Sequence, residues 1–360
     1  MPAPVPAGTD RRIDKLLALL IEHALVVCSG AKIAREIGVS RSAVWRWVET
    51  LRGLGVKIKG HPRSGYQLQT IPDILVPQLL RRRLEGSSFA KRIHHFFKIG
   101  STNDVALALA AAGEPHGTLV IAEQQTAGRG RLGRRWYSEK GSGIYATLLL
   151  RPAPPTPRPA GQSPANGGAP GLSRAAGAGP TLHPRQAPLL TLVAGLATRE
   201  AVVELTRLSV DVRYPNDLLV NGRKFSGILT EMQAELDRIL YVVVGIGVDV
   251  NHTALPADLK DIATSLRLAG GRSYSRIEIL AQLLIWFERY YNRLMQEGPA
   301  PILARMAEVS SYVRDKRVRV ETGRESFTAT TAGLDDSGLL LLRRDDGSLS
   351  PHLAGDLTEA

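Results

Sequence analysis

Four arginines and three glycines alternate in residues 127–136, AGRGRLGRRW. In such a loop backbone amides can approach an anion closely while guanidinium groups neutralise it. The chemistry implied is capture of a phosphate or carboxylate, on a small ligand or on a nucleic acid. It is not a Walker loop, because the GxxxxGK[ST] spacing is absent. Ser101-Thr102-Asn103 follows a predicted strand and caps a predicted helix, offering hydroxyl and amide groups to a small polar ligand. Tyr214-Pro215-Asn216-Asp217 ends another strand, and Lys224 lies just past an Asn221-Gly222 turn. A hairpin there brings Asp217 and Lys224 together, either as a pair that handles protons and charge or as an ion pair across two strands. Gly245-Ile246-Gly247 closes an apolar strand where a ligand can approach the backbone. It lacks the third glycine and following helix of a dinucleotide fingerprint.

These residues need a scaffold, and the flanking patterns describe one. LVIAEQQ, IYATLLL, VDVRYP, LLVNGRKFSGILTEM and RILYVVVGIGVDV have the character of strands, while residues 189–208 and 276–294 carry helical periodicity. The centre of the chain is therefore a mixed α/β domain, over residues 88–310. Residues 152–188 hold ten Pro, six Gly and eight Ala, so burial there cannot offset the entropy of ordering, and a disordered surface insertion within the domain is expected. Residues 71–87 are punctuated by proline and read as a linker with a short amphipathic turn of helix. Beyond Glu297-Gly298-Pro299 comes one more helix-like stretch. Residues 312–358 then show short strands broken by Asp/Gly turns, the pattern of a small antiparallel barrel.

The formal net charge is +12, and residues 11–70 hold eleven Lys/Arg against four Asp/Glu. That block suits a polyanion partner, although charge alone fits a merely soluble basic surface equally well. Ile13, Leu16, Leu17 and Leu20 share one helical face, and Ile33, Ala34 and Ile37 another. Gly38 makes the turn, and Ser40 caps a third helix with Val44, Val48 and Leu51 inward. Arg41, Ser42, Trp45 and Arg46 then point outward as on a recognition helix, and GVKIKGHPRSGYQL reads as a two-stranded wing with Lys57, Lys59 and Arg63 within reach of phosphates. A protein-interaction module has the same outline. Trp45 and Trp47 are expected to pack against a neighbouring helix or the wing, and Cys28 to be a small buried residue. One cysteine permits no internal disulfide, the longest apolar run is far short of a membrane span, and the first residues lack a leader pattern. A cytoplasmic protein with no membrane partner is expected.

GSTN, QTAGRGRLGRRW, PND with a lysine seven residues after its Asp, SGILTEM and GIGVDVN occur in this order behind a winged helix. Together they resemble the bifunctional biotin protein ligases that double as biotin operon repressors, over nearly the whole chain from about Arg11 to Leu357. Lipoate ligases share the fold but lack the GRGRxGRxW loop. The resemblance implies an α+β protein: a winged helix-turn-helix, a central class II aminoacyl-tRNA synthetase-like catalytic domain and a C-terminal SH3-like β-barrel. It implies that biotin and MgATP give biotinyl-5′-AMP, from which biotin passes to a lysine of the biotin carboxyl carrier protein of acetyl-CoA carboxylase. Ser101, Thr102, Asn103, Gln125, Arg129, Gly130, Arg131, Trp136, Lys224 and Gly227 are then the biotin-binding set. Arg131, Asn216, Asp249 and Asn251 fall to the nucleotide; Lys224, Asp217 and Arg129 are catalytic; no residue is assigned to a protein-held metal. Arg41, Ser42, Trp45, Arg46, Lys59 and Arg63 would meet operator DNA, with homodimerisation promoted by the adenylate.

The chain departs from the family pattern in three places. Arg213-Tyr214 stands where Lys-Trp is common, which keeps a cation and an aromatic ring. Asp249 replaces the usual Asn of GxGxN, where a carboxylate repels a triphosphate unless Mg²⁺ lies between them. The insertion after Arg151 is unusual. A biotin-sensing transcription factor without transfer chemistry is the other reading, and Asp217, Lys224 and the intact arginine loop argue against it.

Overall fold

Gly38, at φ +77°, ends one helix and turns the chain into Ser40, whose hydroxyl accepts the Ala43 N–H and caps the next. A computed structural model describes residues 11–152, 182–236, 238–321, 326–352 and 356–360. The head consists of α1 (Arg11–Glu22), α2 (Gly30–Ile37), α3 (Arg41–Gly53), and the antiparallel strands β1 (Ile58–His61) and β2 (Gly65–Leu68). Leu16, Leu17, Leu20, Ile33, Val44, Val48 and Leu51 close its core together with Cys28. Trp47 packs against that core as expected. Trp45 does not: it is 55% exposed, lying about a quarter turn round α3 from the buried face of Val44, Val48 and Leu51.

The expected linker contains α4 (Pro77–Arg83) and is no loose spacer. Val76 enters the head's core while Leu75, Leu80 and Leu84 enter the central one. The central domain continues through β3 (Ile93–Phe96), α5 (Thr102–Ala111), β4 (Thr118–Ala122), β5 (Gly143–Leu150), α6 (Pro188–Thr206), β6 (Asp211–Arg213), β7 (Asp217–Val220), β8 (Arg223–Ala234) and β9 (Ile239–Asp249). After these come α7 (Leu266–Gly270), α8 (Arg276–Glu297) and α9 (Ala300–Val309). Its sheet has the order β3-β4-β5-β9-β8-β7-β6, with β3 and β4 parallel and the other pairs antiparallel. Alternation sends Leu119 and Ile121 of β4 to the core shared with α6 and α8, and Val120 and Ala122 to α5. On β9 the α5 face carries Val243 and so, two by two, Gly245, Gly247 and Asp249.

The proline-rich insertion lies largely outside the described residues, but its expected end is corrected. Leu182 and Ala187 are buried, Pro184–Gln186 forms a 3₁₀ turn, and α6 begins at Pro188, a favoured first residue of a helix. The C-terminal strands β10 (Arg314–Glu321), β11 (Ser326–Leu334), β12 (Leu340–Arg343), β13 (Leu349–Pro351) and β14 (Asp356–Glu359) form one antiparallel sheet of order β13-β12-β11-β10-β14. Its inward residues Val318, Val320, Ala329, Leu340 and Leu342 merge with the central core. No described helix is long and apolar enough to cross a membrane.

A buried ionic chain joins the head to this domain. His95 Nδ1 on β3 donates to Asp14 Oδ1 on α1 at 3.0 Å, and Glu123 Oε1 lies 3.4 Å from His95 Nε2. Glu123 also accepts the Leu75 N–H at 2.8 Å and an Arg276 Nη2–H at 2.8 Å, and Arg276 Nε donates to Asp73 in the linker at 3.1 Å. Burial opposes the charge on His95, yet the hydrogen bonds and charges of Asp14 and Glu123 outweigh it and raise the imidazole to about 9. Burial likewise opposes charge on Glu123, but Arg276 and His95 hold it down to about 2. The His95 contribution to stability is complete below about pH 6.5, the value of an unfolded histidine. It is lost as the pH rises through about 9. Thermal unfolding followed from neutral to alkaline pH should show the wild-type midpoint falling more steeply than that of His95→Gln. Equal slopes would mean that the imidazolium does not hold the head in place.

Candidate functional site

A cavity of about 380 Å³ opens on the α5 face of the sheet, and its floor is glycine. Gly227 and Gly247 pair directly across β8 and β9, and the indole of Trp136 lies against both. A Cβ at position 247 would fall 2.6 Å from Trp136 Cε2, and one at 227 would fall 2.9 Å from Cζ3. Only residues without a side chain leave room for the ring. Trp136 Nε1 is buried with no hydrogen-bond partner, so an indole donor is left for a ligand acceptor.

The arginine loop folds back on itself to bring Trp136 there. Its amide donates to Gly128 O at 2.8 Å, and the Gly130 amide donates to Arg134 O at 2.7 Å. Arg129 reaches Asp104 at the start of α5 and lies 3.3 Å from Glu231 on β8. Arg131 donates to Asn216 Oδ1 at 3.0 Å, and Asn216 Nδ2 is held by Ile228 O at 3.2 Å.

At the other edge of the floor the hairpin brings Lys224 Nζ to 2.6 Å from Asp217 Oδ1, with the ammonium 5.4 Å from the Trp136 ring centroid. Arg213 Nη2 binds the second oxygen, Asp217 Oδ2, at 2.7 Å. The Lys224 backbone receives the Thr264 N–H and donates to Ile262 O, which pins the segment after β9 beside the cavity.

Above the floor, Ser101 caps α5 and Gln125 Oε1 accepts both the Thr102 amide and its hydroxyl, at 2.8 and 3.0 Å. Asn103 lines the cavity, but its amide is engaged by the scaffold. Oδ1 accepts from the Thr147 hydroxyl at 2.6 Å, while Nδ2 donates to Leu229 O and Glu231 Oε2. It locks α5 to the sheet and does not offer a free amide.

Thirteen of the expected ligand and catalytic residues therefore surround one cavity: Ser101, Thr102, Asn103, Gln125, Arg129, Gly130, Arg131, Trp136, Asn216, Asp217, Lys224, Gly227 and Asp249. Asn251 is the exception. Past the end of β9 its amide turns away, donating to Asp73 Oδ2 at 3.0 Å and Tyr274 O at 2.8 Å, and accepting from the Tyr274 N–H. Tyr137, Tyr145, Ile262 and Thr358 also line the cavity and were not anticipated. Tyr137 adjoins the loop motif and Tyr145 alternates onto this face of β5, signals that were available. Thr358 comes from the C-terminal domain, and no spacing announces it. Among the described residues no group of three or more His, Cys, Asp or Glu side chains is placed to hold a metal ion.

On the head, Arg41, Ser42, Trp45 and Arg46 are exposed on α3, and Lys57, Lys59 and Arg63 on or beside the wing strands.

Residues 12–67 match the HTH domain, residues 98–161 and 177–249 the biotin/lipoate A/B protein ligase family, and residues 315–356 the biotin protein ligase C-terminal domain. The bifunctional ligase/repressor BirA of Bacillus subtilis (strain 168) is 35% identical over 334 residues, 92% of this chain and 94% of its own length. The chain belongs to the biotin protein ligase family. Within that family it has the bifunctional form, with the HTH domain ahead of the ligase domains. BirA of Escherichia coli (strain K12) is 29% identical over 345 residues, 96% of each chain. A biotin protein ligase from Aquifex aeolicus, solved in complex with biotin and ATP, superposes with a TM-score of 0.57 at 25% identity. It covers 74% of this chain and 98% of its own.

Gly247→Ala should displace the Trp136 ring and weaken biotin binding by at least tenfold in calorimetry while leaving the circular dichroism spectrum unchanged. Wild-type affinity in that variant would mean that the glycine floor does not shape the ligand site.

Proposed function

We propose that this chain activates biotin with MgATP and transfers the biotinyl group to a lysine of a biotin carboxyl carrier protein, and that its head binds operator DNA. The observation that carries the reading is the convergence of the anion-binding loop and the Lys224–Asp217 pair on one glycine-floored cavity. In the first step a biotin carboxylate oxygen attacks the α-phosphorus, the bond to the β-phosphate oxygen breaks, and pyrophosphate leaves. Lys224 stands where it can stabilise the charge shared between carboxylate and α-phosphate, and Arg129 and Arg131 neutralise the phosphate. Magnesium enters with the nucleotide, whose phosphate oxygens supply its ligands. Closure of the loop over the mixed anhydride excludes water that would hydrolyse it.

In the second step the carrier's lysine amine attacks the acyl carbon, AMP leaves, and the amine gives up its proton. Asp217, held between Arg213 and Lys224, is the acceptor that orients the amine. Ser101, Thr102, Gln125 and Trp136 meet biotin, with Gly130 and Gly227 permitting close approach. Asn216 and Asp249 belong to the nucleotide half, whereas Asn103 and Asn251 act by holding the scaffold.

In this reading residues 11–70 are the DNA-binding head, 71–87 its packed connector, 88–310 the catalytic domain and 312–358 the C-terminal domain. Arg41, Ser42, Trp45 and Arg46 address the major groove, and Lys59 and Arg63 the phosphates. The adenylate favours a homodimer, so that two heads meet two half-sites. ATP, carrier and DNA are all met in the cytoplasm.

Purified protein given biotin, MgATP and an apo carrier domain should release pyrophosphate and add one biotinyl group to the carrier by mass. Lys224→Ala should lower the rate by roughly 10²–10³-fold, the scale for losing one charge-stabilising donor. Biotin binding without pyrophosphate release or carrier modification would instead establish a sensor without transfer chemistry.

A further inference from the structure

Two buried polar atoms face each other behind the cavity wall, each without a hydrogen-bond partner: Asp249 Oδ1 and His252 Nδ1, 3.7 Å apart. Their neighbours fix where the protons are. The Tyr145 hydroxyl lies 2.9 Å from Glu139 O, to which it must donate, since a carbonyl only accepts. In its 3.4 Å contact with His252 Nε2 the imidazole N–H is therefore the donor. In a neutral ring that leaves Nδ1 as a bare acceptor. A bare acceptor facing an ionised carboxylate oxygen, both sealed from water, leaves two acceptors unsatisfied and repelling. A single proton on Asp249, directed at Nδ1, removes the charge and the repulsion, and a contraction of the 3.7 Å separation by several tenths of an ångström completes the hydrogen bond.

The surroundings keep both groups uncharged. Burial pushes the Asp249 carboxyl well above the ordinary carboxylate range, against the opposing pull of Lys224. Lys224 is itself in contact with Asp217. Burial also lowers His252 to about 4, with Glu139 opposing and Arg276 adding to the shift. Tyr137 and Tyr145, the other titratable groups that feel Asp249, are raised and hence neutral.

We propose that Asp249 and His252 form a neutral, proton-sharing pair in the cavity wall, so that Asp249 meets the ligand as an uncharged hydrogen-bonding group and not as an anion. The pair removes the conflict noted in the sequence, a carboxylate set where a triphosphate must come. A protonated carboxyl has nearly the shape of an amide, and its second oxygen remains an acceptor for a neutral N–H or O–H of a nucleotide. His252, three residues further on, is the positioning residue that makes an aspartate workable here. The inference rests on the nucleotide reading of the cavity.

Infrared difference spectra of wild type against Asp249→Asn at neutral pH test it, with ¹³C-aspartate labelling to assign the band independently of the variant. The expected result is the C=O stretch of a protonated carboxylic acid above the amide I band, absent in Asp249→Asn and shifted in His252→Phe. Calorimetry of MgATP binding with biotin present should show wild-type affinity falling about tenfold per pH unit once that band has disappeared, the dependence of a site that needs one bound proton. Asp249→Asn should lack that fall. Carboxylate stretches alone at neutral pH, or the same pH dependence in both proteins, would overturn the proposal. A protonated band in a protein that releases no pyrophosphate would overturn the ligase reading and uphold the pair.

Discussion

The Trp136 ring resting on the paired glycines Gly227 and Gly247 is the contact on which the site depends. An arginine-rich loop is repelled by its own charge and has little apolar surface, so it needs an anchor to hold one conformation. Full burial of a large apolar side chain supplies roughly 1.5–3 kcal/mol; Trp136 is half-buried and contributes part of that, and here the anchor is also the wall of the cavity. The ring joins the loop to the two central strands and sets the height at which Lys224 passes over it. The pairing Gly227↔Gly247 belongs to an unbroken register from Ser226↔Val248 to Gln233↔Tyr241, so the floor is as rigid as the sheet itself.

A second constraint links this site to the head. Gly143 at the start of β5 pairs with Asp249 of the cavity wall, and its carbonyl accepts from Arg276 Nη1 at 2.9 Å. Arg276 meets Glu123, which approaches His95, which bonds Asp14 of α1. Asn251 closes the same cluster through Asp73. The rim of the cavity and the first helix of the head are thus tied through buried charges whose partners cannot be removed singly without leaving an uncompensated ion. This geometry holds the head in a defined orientation on the central domain.

Local grammar was legible in the chain itself: Ser40 and Ser101 as caps, Gly38 as a turn, the Asn221-Gly222 hairpin, and the meeting of Asp217 with Lys224. Each is fixed by neighbours a few residues away. The fate of Asn103 and Asn251 was not legible, because their partners stand 23 to 178 positions distant. Motif position put both among ligand residues; Asn103 lines the cavity while its amide also bonds the scaffold, and Asn251 turns away from it. The connector was read as a linker from its prolines, yet Leu75, Val76 and Leu80 are claimed by two cores, a result that composition cannot foresee. Trp45 was read from helical spacing as outward and from its residue type as packed, and the spacing decided: it is exposed.

The central claim is that loop, glycine floor and Lys224–Asp217 pair act on one bound molecule. A crystal structure of the protein grown with biotin and MgATP tests it directly. The account predicts an acyl-adenylate in the cavity, with its bicyclic ring against Trp136 and its anhydride beside Lys224 Nζ, and with Arg129 or Arg131 turned to the phosphate. Ligand bound elsewhere, or an adenylate that leaves Lys224 and both arginines out of contact, would contradict it.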